Sequence, residues 1–193
     1  FTVVNEITKV VNADDEVVYQ MKGVNRANEV TYTFSADIMD KFVNQANDKV
    51  FTSPQELEAG DLIQAAVNSY GEIYAMQLVF DYSDGVDKKP KWGHHIYGVY
   101  ENNFVDTFVR CYAKRVDGSY AEIIIDKANP DEVVAVSNFS GKNITVVDTS
   151  GKKPVAKRGS ISDLQQVDVL GNDTLPMFIY MWRYSPRDVI LYK

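Results

Sequence analysis

Apolar and polar residues alternate along most of this chain, the period of a β-strand with one face buried. Val3, Ile7 and Val10-Val11 lead into Asn12-Ala13-Asp14-Asp15, and Val17-Val18-Tyr19-Gln20-Met21 leads out. Two β-branched runs around a polar Asn/Asp turn predict a hairpin. Residues 29–34 predict a third strand, with Val30, Tyr32 and Phe34 on one face and Glu29, Thr31 and Thr33 on the other. The period then changes. Ile38, Phe42 and Ala46 fall four apart with Met39 and Val43 beside them, so the spacing predicts a short helix over 36–46. Ser35 or Asp37 would cap it, and Asn47-Asp48 would end it.

Ser53-Pro54-Gln55-Glu56 has the form of a capping box: Ser at the cap, Pro at the first helical position, Glu at the third. Gly60 follows so soon after Leu57 that only about one helical turn fits. Residues 62–67 and 72–80 predict two strands joined by a hairpin turn at Asn68-Ser69-Tyr70-Gly71. From Asp81 to Gly93 the chain is almost free of apolar residues and carries Ser83, Asp84, Gly85, Asp87, Lys88, Lys89, Pro90 and Lys91. This stretch predicts a boundary, with a first domain over 1–82, a linker over 83–93 and a second domain over 94–193. Strands resume at 96–100, 104–114, 120–126, 133–136 and 144–147, with turn signals at Glu101-Asn102-Asn103 and Asp117-Gly118.

The two halves end alike. Ser53-Pro54-Gln55-Glu56-Leu57 is matched by Ser160-Ile161-Ser162-Asp163-Leu164, and each precedes a closing hairpin. The second of these hairpins runs over 177–184 and 188–192 around Ser185-Pro186-Arg187. This order predicts an internal duplication: a mostly β chain of two small antiparallel barrels or curled sheets, about five strands each, each with a short helical element. The helix over 36–46 has no counterpart in the second half.

The closing pattern of the first half is Leu57-Glu58-Ala59-Gly60-Asp61-Leu62-Ile63, an Asn-containing turn, Gly71-Glu72-Ile73 and a final apolar run. It resembles the repeated β-modules of clostridial surface-layer proteins that carry S-layer homology repeats. The second half's Ser160 to Leu164, its strand over 178–184 and Asp188-Val189-Ile190-Leu191-Tyr192 are similar to the same modules. The resemblance implies an extracellular region of a Gram-positive cell-surface protein. The homology repeats of that family bind secondary cell-wall polymer, and their paired helices with short charged motifs are not evident in this sequence. The implied role is therefore a part that does not itself anchor the protein. Its partners would be neighbouring domains of the parent chain or other surface-layer subunits.

Composition narrows the classes. Of 193 residues, 45% are hydrophobic and 24% charged, which is globular composition. The net charge of −7 repels phosphate backbones and argues against nucleic acid as a general partner. No apolar run reaches the ~18–20 residues of a membrane-spanning helix. Cys111 is a lone cysteine that reads as a small hydrophobe on a strand and excludes an internal disulfide. Phe1-Thr2-Val3-Val4 shows neither an initiator Met nor a leader pattern, so the sequence reads as a piece of a longer chain.

Candidate chemistry is sparse. His94-His95 are adjacent, and neighbours on a strand point to opposite faces, so they make a poor metal site even with Asp84 and Asp87 nearby. Asp14-Asp15-Glu16 and the acidic stretch from Asp81 to Asp87 are turns that would collect Ca²⁺ only weakly, because neither has calcium-loop spacing. No other cofactor is expected. The sequence contains no Gly-x-Ser-x-Gly elbow and no Gly-rich phosphate loop, and catalysis is not expected. The aromatic residues are the main remainder. Tyr180, Trp182 and Tyr184 alternate along one strand, and with Trp92 they would offer rings for stacking on sugars. Met177, Ile179 and Met181 on the opposite face favour packing instead. Lys152, Lys153, Lys157 and Arg158 form a basic loop able to touch anionic wall polymer. The expected function is a non-catalytic spacer or lattice-contact module, with a cell-wall or polysaccharide glycan-binding module as the alternative.

Overall fold

The structure, a computed structural model, describes residues 1–85, 107–114, 120–126, 133–137, 143–160, 163, 177–182 and 185–193. Side chains are described for 1–85, 143–160, 163 and 188–193. Most of the predicted linker (86–93), the predicted strand at 96–100, His94, His95, Trp92, Asp87 and Tyr184 lie outside these residues.

The first sheet contains β1 (Thr2–Val11), β2 (Val17–Asn25), β3 (Asn28–Phe34), β4 (Phe42–Asn44), β5 (Leu62–Val67) and β6 (Glu72–Phe80). Its strand order is β3-β2-β1-β5-β6, and β6 returns to β3 by a parallel pairing of Thr33 with Glu72 and Phe34 with Ile73. The result is a closed five-stranded barrel, which leaves few backbone groups on free edges. β4 continues along the same side of β6, with Phe42 opposite Met76 and Asn44 opposite Leu78.

The predicted helix over 36–46 does not form. Ile38–Lys41 makes one 3₁₀ turn, Asp37 gives it no side-chain cap, and Phe42–Asn44 is the strand β4. Aromatic Phe42 and β-branched Val43 suit a strand, and the open edge of β6 supplies backbone partners that outweigh a weakly nucleated helix. Asn44 then turns the chain by accepting from the N–H groups of Ala46 and Asn47. Ser53 caps a 3₁₀ turn over Pro54–Glu56, and the Glu56 carboxylate accepts from Ser53 N–H at 2.9 Å.

The second sheet contains β7 (Thr107–Lys114), β8 (Tyr120–Asp126), β9 (Val133–Ser137), β10 (Asn143–Asp148), β11 (Val155–Arg158), β12 (Met177–Trp182) and β13 (Ser185–Tyr192). Its order is β11-β10-β13-β12-β7-β8-β9. Without β11, this is the order of the first sheet, and both sheets pair their last strand in parallel with a mid-sequence one: β4 with β6, β10 with β13. Registers match too. Val3 pairs with both Val24 and Leu62, as Phe108 does with Asp126 and Met177. The internal duplication is thus visible in topology. The first sheet closes through a parallel pairing, β3 with β6, while its other barrel pairings are antiparallel.

Two apolar clusters follow from strand alternation. Val4, Met21, Phe34, Ile63, Ile73, Met76 and Leu78 fill the barrel, with Ile38 and Leu57 added by the 3₁₀ segments. Their strand neighbours Val3, Leu62 and Val79 point the other way. Together with Val24 and Phe80 they pack against Val147, Ala156, Ile190 and Tyr192 of the second sheet. Doubly apolar runs such as Val3-Val4 and Leu62-Ile63 are what a strand buried on both faces needs. At roughly 1.5–3 kcal/mol for each large side chain, this second cluster is a substantial bond between the two sheets.

Candidate functional site

The structure concentrates its buried polar chemistry where the barrel meets the second sheet. In β1 the pairing with β2 slips between Val4 and Glu6, leaving Asn5 as the extra residue of a β-bulge. The bulge aims Asn5 at β11. Its Oδ1 accepts from Ala156 N–H at 2.6 Å, and its Nδ2 donates to Ala156 C=O at 2.9 Å. A side-chain amide has the donor and acceptor of a peptide group, so Asn5 acts as one residue of an added strand.

Beside it, Gly60 turns the chain with φ +94°. Its N–H donates to Val4 C=O, and Val4 N–H donates to Asp61 C=O, each at 2.9 Å. The Tyr192 hydroxyl, buried in the second sheet's last strand, donates to Gly60 C=O at 2.7 Å. The Tyr192 ring stacks on Tyr82, with centroids 5.8 Å apart and planes 14° apart, and meets Phe80 edge-on at 5.3 Å. Burial holds the Tyr192 hydroxyl well above the usual tyrosine range, so it stays protonated and donates at every ordinary pH.

Asp61 ties the two turns that grip Tyr192. It is 1% exposed, and its carboxylate accepts from Glu58 N–H at 2.8 Å and from Tyr82 N–H at 2.9 Å. Burial pushes this carboxyl up to about 7, against the pull of those two bonds, with the charges of Asp81 and Glu58 adding to the rise. Next to it lies a polar clasp. Lys49 Nζ donates to Asp81 Oδ2 and to Ser83 Oγ, each at 2.7 Å, and Asn47 Nδ2 donates to Asp81 at 2.9 Å and Asp84 at 2.7 Å. Although burial works the other way, the Lys49 ammonium, Ser83 and Asn47 together hold the Asp81 carboxyl below its ordinary value. An open cavity of about 290 Å³ lies over this cluster, lined by Lys49, Phe51, Glu56, Glu58, Asp61 and Asp81 among others.

Most of the polar groups around that cavity are engaged with other groups of this chain. Lys49 is held charged by Asp81, so it is no base for the Ser83 hydroxyl. Both oxygens of Asp81 and both of Asp61 already accept hydrogen bonds from this chain. The groups are spent on holding loops together. Among the described residues, no cluster of three or more His, Cys, Asp or Glu side chains is arranged to hold a metal ion. The acidic turn at Asp14-Asp15-Glu16 is organised by Asn12, whose Oδ1 accepts from the N–H groups of Asp14 and Glu16.

The sequence-derived candidates fall elsewhere. Lys152 and Lys153 are exposed in the loop between β10 and β11, and Lys157 and Arg158 are exposed on β11, so the four basic residues share one hairpin. Lys157 is paired with Asp148 at 3.1 Å. Tyr180 and Trp182 lie on β12, whose side chains are outside the described set, as are Trp92 and Tyr184 altogether. Asn5 and Lys49 carry no motif, and the closing patterns that contain Asp61 and Tyr192 do not mark their buried contacts. A further sequence signal for Asn5 and Asp61 is a polar residue directly against an apolar pair, after Val3-Val4 and before Leu62-Ile63. No protein-family model matches this sequence, and no curated protein or solved structure matches it either.

Proposed function

We propose that this chain is a non-catalytic structural region of a bacterial cell-surface protein of the surface-layer type. It acts outside the cell as a stiff spacer or lattice-contact module. The observation that carries this reading is the junction. Units joined within one chain move relative to each other unless their contact is extensive and apolar. Here four residues of the second sheet are buried among five of the barrel, and the contact is sealed by Asn5 on Ala156 and Tyr192 on Gly60. Such a seam resists bending, which is what a load-bearing spacer requires. The resemblance of the two closing hairpins to surface-layer β-modules supplies the setting, with neighbouring domains or subunits as partners.

The test is co-sedimentation of the chain with purified Gram-positive wall sacculi, with and without millimolar Ca²⁺, alongside thermal unfolding by calorimetry. Protein that stays in the supernatant under both conditions and melts in a single cooperative transition supports the spacer. Saturable pelleting overturns it in favour of the glycan-binding alternative, for which Lys152, Lys153, Lys157 and Arg158 become the first substitutions. Two separate melting transitions overturn the stiff unit.

A further inference from the structure

We propose that this chain binds a second copy of itself head to tail, with the tip of the β1–β2 hairpin of one copy seated on the β10–β11 hairpin of the next. Val11 and Val17 are cross-strand partners at the end of β1 and β2, 64% and 67% exposed. The turn beyond them carries the exposed carboxylates of Asp14, Asp15 and Glu16. Directly opposed side chains of an antiparallel pair form one surface, so the two valines make an apolar patch with an acidic rim. Lys9, two residues before Val11 on the same face, is drawn over the Tyr19 ring, 5.4 Å from its centroid. On the other hairpin Val155 is 53% exposed, between Lys152 and Lys153 in the turn and Lys157 and Arg158 on β11, all four exposed. Val155 and Lys157 share the outward face of β11, because Ala156 between them is buried against the barrel. This second patch is apolar with a basic rim.

The two patches are complementary in charge and stand apart within one chain. β11 lies against the start of β1, where Asn5 holds Ala156, and Val11 is at the far end of that strand. The six residues between Asn5 and Val11 span about 20 Å at a rise of about 3.3 Å each. Lys157 bonds Asp148 of its own hairpin, and among the described residues no ion pair joins the two hairpins. Pairing the patches therefore takes two copies. An apolar centre inside a charged rim is the form of a protein contact, and opposite rims set its register and reject wrong partners. An anionic polysaccharide would satisfy the four cations but leave Val155 and the Val11–Val17 pair in water. Because the two patches differ, each bound copy keeps one free, and the contact extends into a row or ring. The inference rests on the lattice-contact reading and deepens it by naming the partner.

The experiment is sedimentation velocity of the whole chain over a concentration series up to about 1 mM, since a contact this small is weak. The sedimentation coefficient should rise with concentration at about 0.1 M salt and lose that rise by about 1 M, where charges are screened within about 3 Å. Two charge-reversed variants locate the contact. Lys152→Glu with Lys153→Glu takes the net charge from −7 to −11, and Asp14→Lys with Glu16→Lys takes it from −7 to −3. Asp15 is kept because its φ of +60° suits Asp better than Lys. Each variant alone should stay monomeric. Their equimolar mixture should associate again although both are net negative, as should one chain carrying all four changes. A wild type that is monomeric throughout, association that persists in either variant alone, or a mixture that stays monomeric overturns the proposal. A monomeric wild type that pellets with sacculi, where Lys152→Glu with Lys153→Glu does not, overturns it in favour of wall polymer and overturns the spacer as well. A monomer that stays in the supernatant overturns only the head-to-tail contact.

Discussion

Asn5 holds Ala156 by both of its backbone groups, accepting from the N–H at 2.6 Å and donating to the C=O at 2.9 Å across 151 residues of sequence. Replacing it with Ala leaves a part-buried donor and acceptor without partners, and the expected cost is about 1–3 kcal/mol. Asn5→Asp gives little rescue, because a carboxylate has nothing to donate to Ala156 C=O. Urea midpoints of the three proteins check this, and an Asn5→Ala midpoint equal to wild type would remove the clamp from the account.

Tyr192 joins the sheets through its ring and through its hydroxyl, and the two parts separate by substitution. Tyr192→Phe keeps the contacts with Phe80 and Tyr82 but strands Gly60 C=O, for an expected loss of about 1 kcal/mol. Tyr192→Ala also empties a buried ring site and is expected to cost about 3–5 kcal/mol. Equal losses for both would mean that the ring packing contributes nothing.

Gly60 and Gly71 both have positive φ, at +94° and +78°, yet differ in surroundings. A Cβ on Gly71 meets nothing, so Gly71→Ala carries about 1 kcal/mol of backbone strain. A Cβ on Gly60 meets the Tyr82 ring at 2.7 Å and Pro154 at 2.8 Å, so Gly60→Ala must also displace the junction. Thermal melts of the two variants should rank them clearly, with Gly60→Ala several degrees lower.

Lys49→Met removes the ammonium from Asp81 but leaves its other donors. Lys49 is half exposed, so the expected loss at pH 7 is about 1 kcal/mol rather than the value of a buried pair. The Asp81 carboxyl is held below its ordinary 3.8, so its contribution is present above that value and fades as pH falls through the lowered one. The gap between variant and wild type should therefore narrow between pH 7 and pH 3 in urea titrations. A gap that widens on acidification would contradict the clasp.

Strand character, the hairpins at Asn12 to Glu16 and Asn68 to Glu72, the capping box at Ser53 and the repeated closing hairpin were all legible in local pattern, since alternation, turn chemistry and caps act over a few residues. The helix over 36–46 was misread because its apolar spacing fits a helix, while the edge of β6 that draws Phe42–Asn44 into a strand comes from residues 76–78. The turn between β2 and β3 was also invisible. Arg26 and Ala27 both adopt positive φ without the Asn-Gly signal such turns usually carry.

By itself, then, the amino-acid order determined a mostly β chain with two similar halves, because burial on one face leaves a period-two trace in every strand. Tertiary structure alone decided the parallel closure of the barrel, the meeting of its outer face with the second sheet, and the roles of Asn5, Asp61 and Tyr192. Those depend on groups brought together over 21 to 151 residues, and a polar side chain shows its partner only when the fold has delivered it.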